Sequence, residues 1–355
     1  MRADVSYGAD GPTFPLNAWY AAAWDVEVTR APMARKICDN PVVLYRSEDG
    51  SAVALADACW HRLVPLSRGR VEGDAIVCPY HGLKFNAAGR CVYMPSQQTI
   101  NPSAAVRAYP VAERHRFVWL WLGDPALADP ALVPDMHWND DPAWAGDGKL
   151  VHVKCDYRLI VDNLMDLTHE TYVHGSSIGN AAVAEAPFEV THGERTATVT
   201  RWMLGIEPPP FWRAQLGRPG PVDRWQIITF QAPATVTIDV GVAPAGTGAP
   251  DGDRSQGVNG HVLNTVTPET ATTCHYFWAF ARNYRLGEQR LTHELREGVG
   301  RIFGEDYVIL EAQQQAIAAN PDHAFYNLNI DGGALWARRL IDRMVRAESR
   351  ALAAE

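Results

Sequence analysis

Four potential metal ligands occur in two short arms in the first third of the chain. The first arm is Cys59-Trp60-His61, and after sixteen further residues the second arm, Cys78-Pro79-Tyr80-His81, follows. If the four side chains share one centre, the fold must place two loops side by side. The proline of the second arm and Gly82 directly after it favour tight backbone turns. The pattern therefore predicts a β-rich domain that holds two ligand-bearing loops together.

A structural zinc site is the main alternative for these four ligands. Zinc sites usually take pairs spaced as C-x₂₋₄-C or H-x₃₋₅-H, whereas each arm here supplies one cysteine and one histidine. That arrangement is typical of a [2Fe–2S] cluster in which Cys59 and Cys78 bind one iron and His61 and His81 bind the other, as in Rieske centres. We therefore expect a Rieske cluster, with main-chain N–H groups facing its sulfur atoms.

A second constellation lies in "NLMDLTHETYVH", from Asn163 to His174, which contains Asp166 and His169. Polar residues on a solvated helix are the simplest interpretation. A spacing of five residues places two histidines on different helix faces, so a shared metal requires the helix to end or bulge between them.

A third ligand could come from the later segment "RIFGEDYVILEAQQQ", in which Glu305 and Asp306 are adjacent. Two histidines and one carboxylate form the facial triad of non-haem Fe(II) sites, which leaves positions open for O₂ and substrate. The residues alone do not decide between the two carboxylates.

The order of sequence patterns predicts an α+β chain with two domains. Residues 1–122 are β-rich and include a hairpin around Asp49-Gly50. Residues 123–148 are rich in Pro, Asp and Ala and predict a linker or crossover. Residues 149–355 begin with the strand-like "KLVHVKCDYRLIV", continue as antiparallel strands with a long Gly/Pro-rich loop at 241–260, and end in two helices near 290–319 and 334–355.

Charge and hydropathy exclude some functions. The formal net charge of −9 argues against a nucleic-acid partner. There is no uncharged apolar run of 18 residues, so we expect no membrane span. The N-terminal segment "MRADVSYGADGPTFPLNAWY" lacks the apolar core of a signal peptide. We therefore expect a cytoplasmic protein.

Together, the two constellations resemble those of the Rieske non-haem iron oxygenases. Several longer segments resemble the oxygenase components of vanillate O-demethylases in particular, with dicamba and toluenesulfonate monooxygenases as more distant relatives. These segments are "LIVDNLMDLTHETYVHGSSIG", "EPPPFWRAQL", "PVDRWQI", "TPETATTCHYFWAFARN" and "EDYVILEAQQQ". The resemblance covers essentially the whole chain.

The resemblance implies a role for each residue of the second constellation. It assigns the mononuclear iron to His169, His174 and Asp306. It makes Asp166 a bridge that bonds His169 and, across a subunit interface, the cluster ligand His81 of a neighbour. It also places Asn163 near the iron.

The resemblance further implies an N-terminal Rieske domain of β-sandwich type. A C-terminal helix-grip (START-like) domain would follow, in which an antiparallel sheet holds a long helix. The implied assembly is a head-to-tail homotrimer, reduced by a separate flavin and [2Fe–2S] NAD(P)H reductase. The implied reaction uses O₂ to convert vanillate to protocatechuate and formaldehyde.

Two other functions stay open from the sequence. One is oxygenation of another methoxy- or methyl-arene acid, such as isovanillate, anisate, a dicamba-like acid or an aryl sulfonate. The other is a Rieske electron-transfer protein without catalysis. Candidate contacts to an aromatic acid are Arg213, Arg224 and Asn264, although the two arginines could equally form ordinary salt bridges.

Overall fold

A computed structural model describes residues 14–352, so residues 1–13 and 353–355 of the two expected domains lie outside it. The described chain divides into two compact units. One unit contains residues 14–135 and 267–270, and the other contains residues 136–266 and 271–352. The division after residue 135 falls within the stretch 123–148 that the sequence predicts as a crossover.

The first unit is built from short antiparallel strands. They form three sheets, with strand orders 1-10-9, 2-3-4 and 5-6-7-8. The hairpin predicted around Asp49-Gly50 is confirmed by the third and fourth strands. The strands are β1 (Trp19–Trp24), β2 (Met33–Ile37), β3 (Asn40–Arg46), β4 (Ala52–Ala56), β5 (Arg70–Glu72), β6 (Ala75–Val77), β7 (Lys84–Phe85), β8 (Cys91–Tyr93), β9 (Val111–Arg114) and β10 (Phe117–Trp121).

The second unit contains a seven-stranded antiparallel sheet in the order 11-17-16-15-14-13-12. Its strands are β11 (Ala145–Val153), β12 (Phe188–His192), β13 (Thr196–Ile206), β14 (Val222–Gln231), β15 (Thr235–Pro244), β16 (Val258–Thr270) and β17 (Thr273–Arg282). Its helices are α1 (Tyr157–Met165), α2 (Glu170–Val173), α3 (Ala181–Glu185), α4 (Pro210–Leu216), α5 (Gln289–Ala319) and α6 (Gly332–Leu352). The expected α+β fold, with a long helix held by an antiparallel sheet, is confirmed.

Two sequence predictions about local structure are wrong in extent. Only the first part of "KLVHVKCDYRLIV" is strand, because Asp156 accepts a hydrogen bond from the Arg158 N–H and starts α1 as its N-cap. The loop predicted over 241–260 is shorter, since β15 and β16 continue pairing as far as Val242 and Val258. The ends of this segment contain small residues, which a strand in a pleated sheet accommodates, whereas their composition alone predicts a loop.

The long helix α5 organises the second unit. It packs against β11 and β17, and its buried positions include Val299, Ile302, Asp306 and Leu310. These residues recur at the spacing of one helix face, so an aspartate occupies a position where the pattern calls for an apolar residue. None of the helices within residues 14–352 combines the length and apolar character needed to cross a membrane.

Candidate metal centres and substrate pocket

The four residues of the first constellation meet at one end of the first unit. The thiols of Cys59 and Cys78 are buried, with residue exposures of 1 % and 2 %. The rings of His61 and His81 are exposed, and their centroids lie 4.7 Å apart. Buried cysteines below exposed histidines fit a cluster whose histidine-bound iron faces outward.

The two arms adopt the same backbone conformation. In each arm the cysteine N–H donates to the carbonyl five residues later, at 2.9 Å for Cys59 and 2.8 Å for Cys78. The cysteine carbonyl accepts from the N–H four residues later, at 2.8 Å from Leu63 and 3.0 Å from Gly82. These fourth residues have positive φ angles of 57° and 76°. Gly82 adopts this conformation without strain, as its position after the second arm predicts.

The donor chemistry of this site fits an iron–sulfur cluster. Burial raises the pKa of the Cys59 thiol to about 11, while the main-chain N–H groups of His61 and Arg62 lower it. A buried thiolate is therefore unfavourable unless metal charge stabilises it. Main-chain donors around the sulfur are the surroundings that a cluster requires.

The helix that carries the second constellation is interrupted, as a shared metal site for its two histidines requires. Helix α1 ends at Met165, and Asp166 is extended, with φ −129° and ψ 104°. The Oδ1 atom of Asp166 accepts from the Thr168 N–H at 2.9 Å and caps a single 3₁₀ turn that ends at His169. The short helix α2 follows, and His174 comes directly after it. The five-residue spacing therefore joins one histidine before α2 to one after it.

These two histidines and Asp306 come together. The Oδ1 atom of Asp306 lies 3.5 Å from His169 Nε2 and 3.2 Å from His174 Nε2. One potential ligand atom from each residue lies within 4.8 Å of the others. Two imidazoles and one carboxylate from two separate segments form the donor set that non-haem Fe(II) takes. The arrangement therefore fits a mononuclear iron.

The second ring nitrogen of each histidine is also bonded. The Nδ1 atom of His169 lies 2.6 Å from the main-chain oxygen of Asp166, and the Nδ1 atom of His174 lies 2.6 Å from Glu305 Oε2. Such bonds leave Nε2 free to bind a metal and fix the ring orientation. Glu305 therefore supports His174 from behind, and the carboxylate of Asp166 caps the turn.

An asparagine and several acidic side chains surround the three donors. Asn163 Nδ2 donates to Asp306 Oδ1 at 3.3 Å, so the asparagine lies beside this carboxylate. Burial is the largest single influence on the pKa of His174 and lowers it, but the hydrogen bonds and charges of Asp306, Glu305 and Glu170 together outweigh burial, so the pKa is raised. The acidic neighbours thus favour a positive charge at this position.

A partly enclosed pocket borders the three donors. Val299, Ile302 and Phe303 of α5 line it on one side, and Ile238 and Val240 of β15 line it on another. Mostly apolar walls with a few convergent polar groups are typical of small-molecule sites. The pocket is therefore the candidate site for an apolar or aromatic group beside the proposed metal.

A buried polar network also reaches the pocket. Arg224 Nη2 donates to Glu170 Oε2 at 2.8 Å, and Gln226 Nε2 donates to Glu170 Oε1 at 2.9 Å. Arg224 and Glu170 both line the pocket. The sequence identified Arg224 but not Glu170 or Gln226. The available signal was the pair of long polar side chains two residues apart in the apolar strand β14, which places both on one face.

The other two sequence candidates for substrate contact have different surroundings. Arg213 lies on α4, and its exposed side chain is 3.3 Å from Glu207. Asn264 is buried in β16, where it donates to the Val236 carbonyl at 3.0 Å and accepts from Tyr276 Oη at 2.6 Å. Neither residue lines the pocket, and their contact with a substrate stays a prediction.

Two family models match the chain. The model of the Rieske [2Fe-2S] domain matches residues 18–110, and the model of the vanillate O-demethylase oxygenase C-terminal domain matches residues 153–347. The first match confirms the [2Fe–2S] prediction over the zinc alternative. The second confirms the resemblance drawn from the sequence motifs.

Individual relatives match over nearly their whole length. A vanillate O-demethylase oxygenase subunit of Pseudomonas sp. (strain HR199) is 45 % identical over 95 % of this chain and 97 % of its own. A vanillate O-demethylase oxygenase subunit of Pseudomonas sp. (strain ATCC 19151) is 48 % identical over 88 % and 96 %. The crystal structure of dicamba monooxygenase bound to 3,6-dichlorosalicylic acid superposes with a TM-score of 0.89 at 36 % identity, covering 95 % of this chain and 99 % of that one.

Proposed function

The chain belongs to the vanillate O-demethylase oxygenase family, and from that membership we propose that it is an oxygenase component that converts vanillate to protocatechuate and formaldehyde. The proposal is carried by one observation: a two-histidine, one-carboxylate donor set borders an apolar pocket. The identities of 45 % and 48 % to vanillate O-demethylase oxygenase subunits support this choice of substrate.

The proposed reaction uses two cofactors, one for electron transfer and one for oxygen activation. Cys59, His61, Cys78 and His81 would hold the [2Fe–2S] cluster, which supplies electrons one at a time. His169, His174 and Asp306 would hold an Fe(II) ion, which would supply O₂ activation. The overall reaction consumes vanillate, O₂, two electrons and two protons and yields protocatechuate, formaldehyde and water, because hydroxylation of the methoxy carbon gives a hemiacetal that breaks down. The cofactors supply this chemistry, and the protein supplies binding and orientation.

The residues of the chain position the reaction. His169, His174 and Asp306 would hold the metal from one side, because their second-nitrogen bonds and Asn163 fix their orientation. The apolar pocket walls exclude water and hold the ring beside the metal. Exclusion of water strengthens the electrostatic interactions within the site.

Electron delivery would pass between subunits. In the proposed head-to-tail homotrimer, His81 of one subunit faces Asp166 of the next, and Asp166 leads to His169 through its main-chain oxygen. His81 is exposed and His169 Nδ1 lies 2.6 Å from that oxygen, which supports the route. Asp166 is thus proposed as the electron-transfer bridge and Asn163 as a support for the ligand Asp306.

A separate reductase would supply the electrons, and the description of the relatives as oxygenase subunits supports this. We propose a flavin and [2Fe–2S] protein fed by NAD(P)H. We also propose a cytoplasmic location, where NAD(P)H is available.

The proposal is tested by formaldehyde release. The purified chain with a matched reductase should demethylate vanillate in preference to isovanillate, veratrate and anisate. Asp306→Ala and His169→Ala should keep the absorption spectrum of the Rieske cluster and lose turnover, since each removes one metal donor. Full turnover and unchanged mononuclear iron content in both variants would rule out the oxygenase assignment and favour a non-catalytic electron-transfer protein.

A different aromatic acid is the second candidate substrate. Dicamba monooxygenase, at 36 % identity, is crystallised with 3,6-dichlorosalicylic acid, which is also an aromatic acid. The same screen separates the candidates. Preference for an aryl sulfonate or a dicamba-like acid over vanillate would keep the oxygenase chemistry and replace the substrate.

A further inference from the structure

Arg224 has hydrogen-bond donors that the described protein leaves unused. Its residue exposure is 1 %, and it lines the pocket. Within residues 14–352, its Nε and Nη1 atoms have no hydrogen-bond partner. Buried donors without partners cost stability, and native structures rarely keep them unless a water, ion or ligand completes the bonding.

The rest of the guanidinium is held firmly from behind. Nη2 donates to Glu170 Oε2 at 2.8 Å. Gln226, two residues from Arg224 on the same face of β14, donates to both oxygens of Glu170 at 2.9 and 3.0 Å. Glu170 therefore has its acceptors occupied and fixes one edge of Arg224. Of the remaining donors, Nη1 stands beside Nη2 at the end of the guanidinium, and an ionised carboxylate there would accept a charge-assisted hydrogen bond from it.

We propose that Arg224 binds the carboxylate of the aromatic substrate through Nη1, with Glu170 and Gln226 holding the guanidinium in place. This inference rests on the proposed function, because it assumes that the ring lies in the pocket beside the iron. The arginine then determines specificity. It selects planar ring acids over neutral ring analogues of the same size.

The test compares two ligands that differ in the carboxylate. Vanillate and guaiacol share the ring, hydroxyl and methoxy group, and guaiacol lacks the acid. Binding to the oxygenase is measured by calorimetry for the wild type, Arg224→Met, and Arg290→Met as a matched control. Arg290 is an exposed arginine of the same unit that pairs with Glu294. We expect Arg224→Met to weaken vanillate binding about 10- to 100-fold and to leave guaiacol binding unchanged.

A second variant guards against misfolding. Arg224→Met leaves Glu170 with a buried charge, so the double variant Glu170→Gln/Arg224→Met removes both charges of the pair. The cluster spectrum and thermal unfolding report whether each variant folds. The double variant should show the same selective loss of vanillate affinity. Vanillate affinity within twofold of wild type in the folded variants, or an equal loss for guaiacol, would overturn the proposal.

The outcomes also separate this inference from the proposed function. If the wild type binds aromatic acids in an Arg224-dependent way but releases no formaldehyde from vanillate, the function fails and the carboxylate contact stands. If wild type and Arg224→Met release formaldehyde equally at low vanillate concentrations, the contact fails and the function stands.

Discussion

Replacing Glu305 by alanine should weaken the mononuclear metal site without changing its ligands. Glu305 Oε2 lies 2.6 Å from His174 Nδ1, so the carboxylate fixes the ring of a proposed ligand. Loss of such a partner typically costs 10- to 100-fold in metal affinity. The Glu305 side chain is 47 % exposed, and water can partly replace it, so we expect the lower end. About tenfold weaker Fe(II) binding corresponds to about 1.4 kcal/mol.

The assay is Fe(II) titration of enzyme stripped of mononuclear iron, with the Rieske absorption as an internal measure of folding. Glu294→Ala is the control, since Glu294 lies on the same helix and pairs only with exposed Arg290 among the contacts described. Equal Fe(II) affinity in Glu305→Ala and Glu294→Ala would refute the orienting role. Loss of cluster absorption together with iron would instead attribute the effect to misfolding.

Two further predictions concern the bridge and pH. Asp166→Asn should keep both metal centres but slow oxidation of the cluster in a single turnover, and a wild-type rate would eliminate the bridge role. Burial lowers the pKa of His261 to about 4, although Asp239 opposes this; His137 and Arg254 add to it. Below about pH 6.5 His261 therefore binds a proton in the unfolded chain but not in the folded protein. The free energy of unfolding should decrease as the pH is lowered, by roughly 1.4 kcal/mol from pH 7.5 to pH 5.5. Chemical unfolding followed by fluorescence should show this loss in wild type and a smaller one in His261→Phe; equal losses would contradict it.

The sequence predicted the ligand chemistry better than the local structure around it. Cysteine and histidine spacing fixes chemistry directly, because each arm needs only a tight turn to bring its ligands together. The strand predicted over residues 149–161 is confirmed only as far as Val153, because the N-cap Asp156 starts a helix that the β-branched residues after it do not prevent. Capping depends on one side chain, whereas a hydrophobic pattern averages over many.

The polar network of the pocket was only partly foreseeable. Arg224 stood out as a cation in an apolar strand, but its partner Glu170 lies 54 positions earlier, and only the tertiary fold brings the two side chains together. The choice between Glu305 and Asp306 likewise depended on helix rotation. Adjacent residues on a helix point about 100° apart, so one carboxylate enters the donor set and the other supports His174.

The position of Asp306 within α5 separates metal binding from substrate selection along one helix. The helix is 31 residues long, and Val299, Ile302 and Phe303 line the pocket one to two turns before the proposed ligand. Because a helix rises about 1.5 Å per residue, Val299 lies about 10 Å along the axis from Asp306. Because the helix is rigid, this spacing fixes the distance between the proposed metal ligand and the pocket wall, and so the length of substrate that fits. Substitutions at these three positions would change which ring acids fit the pocket, while the iron-binding geometry stays constant. Related enzymes can therefore differ in substrate specificity and keep the same reaction.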